Sequence, residues 1–453
     1  MSLSERARFG TKLGIVLATA GSAVGLGNIW RFPFMTGQDG GAAFILLYLC
    51  FVLLLGIPGM IAEFIVGRNA SSNAARAYAS LTSHKAWGII GVIGVITSII
   101  ILGFYSVVAG WCLQYLYASI NGELVGDADY VKNYFLSFST NSWKPILWGL
   151  GFIIITHAVV TRGVRDGIEK ASKILMPTLF ILLLVIVTAS CMLPGALAGI
   201  EFLFKPDFTK ITKNVFLDAL GQAFFSLSLG TACLCTYASY FKKETNLLHS
   251  STQIALLDLL VAILAGLMIF PAAFSVGINP DSGPSLIFIT LPNVFNLAFD
   301  QMPLLGYVIS LAFYTLLALA ALTSTISMHE IGTAFFHEEC HIRRRTAACI
   351  ITVLAGIVCI LSSLSEGAFA NLKIGGMNLM SFFDFITAQI SMPLGAFLTC
   401  ICVGWVAKRQ YVYNEYTNYE AHNKWSFTIW YFAVRYICPI FILFIFLHQF
   451  GLL

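Results

Sequence analysis

Ala20-Gly21-Ser22-Ala23-Val24-Gly25-Leu26-Gly27-Asn28-Ile29-Trp30-Arg31-Phe32-Pro33 lies midway through an apolar run, Leu13 to Met35, long enough to cross a bilayer. A crossing helix should be continuous, yet this stretch carries three glycines, an Asn, an Arg and a Pro. Glycine lacks a Cβ and gives up the most conformational freedom in a helix, so the helix is weakest here. In hydrocarbon, unwound backbone is tolerated only where protein buries it or where it lines a cavity. The stretch is therefore either a small-residue packing stripe or a break whose bare amides and carbonyls hold a ligand. Gly25 and Gly27 beside the polar Asn28 and the ionisable Arg31 favour the break.

Composition sets the class. Of 453 residues, 58% are hydrophobic and 11% charged, which excludes an ordinary soluble domain. The expectation is an all-α integral membrane protein forming one unit over 1–453. It has about eleven spans by length, near 13–36, 41–66, 88–118, 144–161, 174–193, 215–240, 254–276, 303–335, 347–364, 378–406 and 426–450. With the N-terminus in the cytoplasm, most Lys and Arg fall inside, and Lys132, Lys144, Lys205, Lys210, Lys213 and Lys373 remain outside. The odd count then leaves the C-terminus outside, in an inner or plasma membrane. A net charge of +4 calls for no nucleic-acid partner. Cys233 with Cys235, and Cys400 with Cys402, point to different helix faces, so neither pair reads as a metal site. The histidines are scattered and no nucleophile–base pair stands out, so no enzyme is expected.

A second irregular stretch falls five spans further on. Gln222-Ala223-Phe224-Phe225-Ser226-Leu227-Ser228-Leu229-Gly230-Thr231 puts three hydroxyls and a glycine at mid-membrane. The plain alternative is two unrelated packing motifs. Interrupted spans at corresponding positions of two copies point instead to a transporter binding site. Five spans per copy would insert the copies with opposite topology: 11–193 as the first repeat, 213–407 as the second, and 425–453 as an extra helix.

The first stretch resembles the first-helix signature of the neurotransmitter:sodium symporter family, of which the bacterial leucine transporter is the structural prototype. The likeness extends through Gly40-Gly41-Ala42-Ala43-Phe44, Gly56-Ile57-Pro58, Gly67-Arg68, Phe225-Ser226-Leu227-Ser228-Leu229-Gly230, Thr236-Tyr237-Ala238-Ser239-Tyr240 and Leu322-Thr323-Ser324, and so covers spans one to ten. The usual twelfth span is missing, as in some bacterial members. The resemblance implies the leucine-transporter fold, a 5+5 inverted-repeat core with helices 1 and 6 broken, working by alternating access.

It also implies two sodium ions. The first would be held by Ala23, Asn28, Ser226, Asp258 and the substrate carboxylate; the second by Gly21, Val24, Ala320, Thr323 and Ser324. All-oxygen shells suit a hard cation, although Thr323 and Ser324 taken alone read as back-bonding to their own helix. The substrate carboxylate would meet amides near Gly25 and Gly27 and the Tyr105 hydroxyl, and its amino group carbonyls of Ala23, Phe225 and Ser226. Ser22, Ile101, Phe225, Ser228, Thr231, Ser324, Ser327 and Met328 would line the side-chain pocket. Family members that carry amines lacking a carboxylate have Asp where this chain has Gly25, so a free α-amino acid is expected. Thr231 replaces a bulky aromatic residue of the leucine transporter, which widens the pocket. The expected substrates are neutral, mainly hydrophobic L-amino acids, aromatic or branched.

Asp258 departs from the animal members, which hold chloride near positions 48, 222, 226 and 258. A carboxylate inside a span is functional by default, and here it supplies a permanent negative charge, so no chloride is expected. Gates are expected at Arg31 with Asp384 outside, and at Arg6 with Glu338 near Ser239 and Tyr240 inside. Each of these charges could instead snorkel to an interface. Gly167 and Pro177 bracket a hinge at the start of span five, or else Pro177 is a plain helix-start proline. The competing reading from another class is a sodium-dependent amino-acid sensor of the same fold that binds without carrying.

Overall fold

The computed structural model describes residues 8–278, 286–418 and 424–449. Among the described residues, eight helices are each long and apolar enough to cross a membrane, and the first span, Lys12–Ala23 with Gly27–Gln38, passes the same test as a pair bent by 53°. The unbroken spans are Ala42–Ala70 (span 2), Lys85–Ile120 (span 3), Val164–Cys191 (span 5), Leu247–Ser275 (span 7), Pro303–Glu339 (span 8), Arg344–Leu364 (span 9), Leu379–Val406 (span 10) and Trp425–Gln449 (span 11). Lys144–Val160 (span 4) follows an outer helix, Ala128–Ser139, at 73°. Span 6 is split into Lys213–Ser226 and Cys233–Ala238, neither half long enough to cross alone.

The outer connections rich in Pro, Asp and Gly form short helices, Ala196–Phe204 and Leu291–Ala298. Small residues let the long helices approach. A Cβ added to Gly110 of span 3 would lie 2.5 Å from the Gly149 nitrogen of span 4, so these helices meet backbone to backbone. Span 8 runs through the centre, packed on spans 1, 3, 4, 5 and 9. Its residues Ala312–Ala334 are mostly buried, and both broken helices lie against this central group.

Candidate functional site

The two breaks supply the site. In span 1 the helix ends where Val24 turns extended (φ −71°, ψ 104°). Asn28 then folds back, its Oδ1 accepting from the Gly25 amide at 3.1 Å. In span 6, Ser228, Gly230 and Ala232 all have positive φ (54°, 80° and 61°), which prevents a regular helix between the halves. Gly230 is fixed by contact: a Cβ there would sit 1.9 Å from the Met392 carbonyl of span 10. Its amide donates to Glu63 Oε1 of span 2 at 2.7 Å, which satisfies a donor freed by the unwinding.

Asp258 of span 7 is fully buried and is the centre of a polar cluster. Its Oδ2 accepts from Ser226 Oγ at 2.8 Å and from the Tyr48 hydroxyl at 3.0 Å. Its Oδ1 accepts from Asn28 Nδ2 at 2.8 Å, and the same amide lies 3.2 Å from Ser226 Oγ. An unpaired carboxylate in this setting would be very costly, and the surrounding donors offset that cost. Asn28, Ser226 and Asp258, three of the residues expected at the first sodium site, are thus brought within hydrogen-bond reach of one another. Gln222, one turn before Ser226, is buried with neither polar side-chain atom partnered.

The residues expected at the second sodium site converge between spans 1 and 8. Thr323 Oγ1 lies 2.9 Å from the Ala320 carbonyl and 3.2 Å from the Val24 carbonyl. Back-bonding and contact with the break therefore occur at one hydroxyl. A Cβ on Gly21 would come within 3.3 Å of Thr323 Cβ. Ser324 points toward the break itself: a Cβ on Gly25 would fall 2.4 Å from Ser324 Oγ and 3.2 Å from the Tyr105 hydroxyl. Position 25 has no room for a side chain.

Tyr105 OH accepts from the Leu26 amide at 3.1 Å, so a phenol and a bare amide of the break face one another. Around them Ile101, Phe104 and Met392 form a buried apolar cluster against Tyr105, Phe225 and Met328. The small polar residues expected in the pocket turn their hydroxyls onto backbone: Ser22 onto Thr19 O, Ser228 onto Ser22 O, Thr231 onto Ser228 O and Ser327 onto Thr323 O. Their hydrogens are thereby committed, and what they still offer a ligand is acceptor lone pairs and carbon, not a donor.

Arg31 stacks on Phe225 with its guanidinium 4.2 Å from the ring centroid. No ion pair joins Arg31 to Asp384 among the described residues. On the inner side Arg6 lies outside the described residues. Glu338 accepts from the Asn73 amide at 2.7 Å and from its Nδ2 at 3.0 Å. Phe9 packs edge-on against Tyr237 and Tyr240 at 6.0 Å. Tyr240 donates to Glu330 Oε1 at 2.6 Å, and Arg344 forms a two-pronged pair with the same carboxylate. Gly167 sits in a π-helical turn, Val164–Glu169, at the start of span 5, and Pro177 lies inside the helix that follows. Beside Gly167, Glu169 accepts from the Gly10 amide at 2.6 Å, the Thr11 hydroxyl at 2.9 Å and Lys173 at 2.7 Å. The start of span 1 is thereby tied to the start of span 5.

Glu63, Glu169, Glu330 and Arg344 were not singled out by the sequence reading. The signal that found Asp258, a carboxylate within an apolar span, marks Glu63 and Glu330 equally.

The model of the sodium:neurotransmitter symporter family matches residues 6–145 and 128–451. An uncharacterized sodium-dependent transporter of Bacillus subtilis, YhdH, is 38% identical over 456 residues, covering 100% of both chains. The human sodium- and chloride-dependent GABA transporter 2 is 24% identical over 488 residues, covering 96% of this chain and 79% of its own. The crystal structure of MhsT in complex with L-phenylalanine superposes with a TM-score of 0.89 at 40% identity, covering 98% of this chain and 100% of that one.

Proposed function

This chain belongs to the sodium:neurotransmitter symporter family, and on that premise we propose that it carries neutral, mainly hydrophobic L-amino acids, aromatic or branched, without chloride. It is a sodium-dependent membrane transporter and not an enzyme. The observation that carries the substrate class is the set of groups gathered between the breaks. Gly25 leaves no space for a carboxylate of the protein's own, while the Leu26 amide and the Tyr105 hydroxyl stand where a substrate carboxylate can be received. Beyond them the lining is the apolar cluster of Ile101, Phe104, Phe225, Met328 and Met392. Phenylalanine bound to MhsT, whose fold this chain shares, fits the same chemistry.

Two sodium ions are assigned, one at Ala23, Asn28, Ser226 and Asp258, the other at Gly21, Val24, Ala320, Thr323 and Ser324. The substrate carboxylate completes the first shell, so each ligand strengthens the other's binding through a shared contact. The Asp258 carboxylate supplies the negative charge that chloride gives the animal relatives. Residues 11–193 and 213–407 act as the two inverted repeats, and the N-terminus faces the cytoplasm of a prokaryotic cell with the C-terminus outside. Arg31 with Asp384 closes the outer path, Arg6 with Glu338 and Tyr240 the inner, and Gly167 with Pro177 lets span 5 unwind.

Competition of labelled phenylalanine uptake by a panel of unlabelled amino acids tests the substrate class. Leucine, tyrosine and tryptophan should compete; preference for lysine or glutamate would refute the pocket reading. Replacing chloride with gluconate should leave uptake unchanged, and a collapse would refute the role given to Asp258.

A further inference from the structure

His329 and His157 take no part in the sites described above. His329 is fully buried in span 8. His157 is half-buried in span 4, three residues before that helix ends at Val160. Thr352 of span 9 stands between them, its Oγ1 2.7 Å from His157 Nδ1 and 3.0 Å from His329 Nε2, and the two rings are 5.8 Å apart.

The hydrogens in this group can be placed by counting. Thr333 Oγ1 donates its one hydrogen to the His329 carbonyl at 2.9 Å, so at 3.0 Å from His329 Nδ1 it can only accept. His329 therefore carries its proton on Nδ1. In the neutral ring Nε2 is then bare and takes the hydrogen of Thr352, and Thr352 in turn accepts from His157 Nδ1–H. The chain runs one way: His157 to Thr352 to His329 to Thr333. It ties spans 4, 8 and 9 together with both rings neutral.

At about 100° per residue, Ala320, Thr323, Ser324 and Ser327 lie about 120–180° around span 8 from His329. What holds His329 sets the direction in which those ligands point.

We propose that His329, linked through Thr352 to His157, is a positioning residue that fixes the rotation of span 8 and with it the sodium and substrate ligands on the opposite face. The inference rests on the assignment of the second sodium site to Ala320, Thr323 and Ser324. The pair lies on the side of the helix turned away from the cargo.

The test is apparent sodium affinity, substrate KM and kcat for uptake by reconstituted protein at one neutral pH. Thr352→Val and His329→Asn should lower sodium affinity and raise KM about five-fold or more with kcat little changed, because both break the link without removing a ligand. Thr352→Ser, which keeps the hydroxyl, should restore wild-type behaviour. Wild-type affinity in Thr352→Val, or a fall in kcat alone, would overturn the proposal. Absence of sodium-dependent uptake by wild type would instead overturn the functional reading beneath it.

Discussion

At the scale of single residues, space and charge at a few positions do most of the deciding. Gly25 is the sharpest case, because a methyl group there meets Ser324 Oγ at 2.4 Å. Overpacking of that kind costs about 1–3 kcal/mol, equivalent to about 5- to 150-fold in affinity. Gly25→Ala should weaken substrate binding by that factor in equilibrium binding while the folded protein is retained. Asp39, just past the outer end of span 1, behaves differently. Burial, helped by the negative charge of Asp218, pushes its carboxyl up from 3.8 to about 7, and its Oδ2 has no hydrogen-bond partner. A carboxyl raised in the folded state contributes fully below its unfolded value, and that contribution is lost as pH rises toward about 7. Asp39→Asn should therefore stabilise the protein at pH 8, on the order of 2 kcal/mol after solvent screening, and have no effect near pH 4. Thermal melts at the two pH values check the sign.

At the scale of elements, the breaks were legible and their supports were not. Glycines inside an apolar run announce a weak helix, so span 1 could be read from Gly21, Gly25 and Gly27. Span 6 was legible from Ser226, Ser228 and Gly230. Asp258 declared itself as a carboxylate in hydrocarbon. What spacing cannot show is which distant residue satisfies a freed backbone group. Glu63 meets Gly230 across 167 positions and Glu169 meets Gly10 across 159, and no local pattern encodes either contact. The gates show the same gap. Arg31 lies on Phe225 without an ion pair to Asp384, and Phe9 packs on Tyr240, which bonds the Glu330 carboxylate that also holds Arg344.

Two predictions belong at this scale. Gly230→Ala would drive a methyl into the Met392 carbonyl at a positive φ. It should destabilise the protein by about 3 kcal/mol or more, seen as a fall in melting temperature with loss of uptake. Glu330→Gln strips the half-buried Arg344 of its counter-charge, a change expected at the low end of the about 3–5 kcal/mol typical of a buried pair. Hydrogen exchange at residues 8–20 should then rise, because the Tyr240 and Arg344 contacts beneath Phe9 loosen. Unchanged exchange there would show that Glu330 does not hold the inner side shut.

At the scale of the whole molecule, the proposed coupling rests on where the two breaks meet. Both interrupt their helices beside the buried Asp258 carboxylate. In the proposed site, a substrate carboxylate seated at the Leu26 amide and Tyr105 adjoins the Asn28–Ser226–Asp258 cluster through the Gly25–Asn28 turn, so cation and amino acid should move together. The most direct test is uptake of radiolabelled leucine, tryptophan and tyrosine into proteoliposomes, with an inward sodium gradient or with choline in its place. The expected result is accumulation of one or more of these amino acids only when sodium is present. Sodium-dependent binding without accumulation would make the protein a sensor, and absence of both would contradict the site built around Gly25.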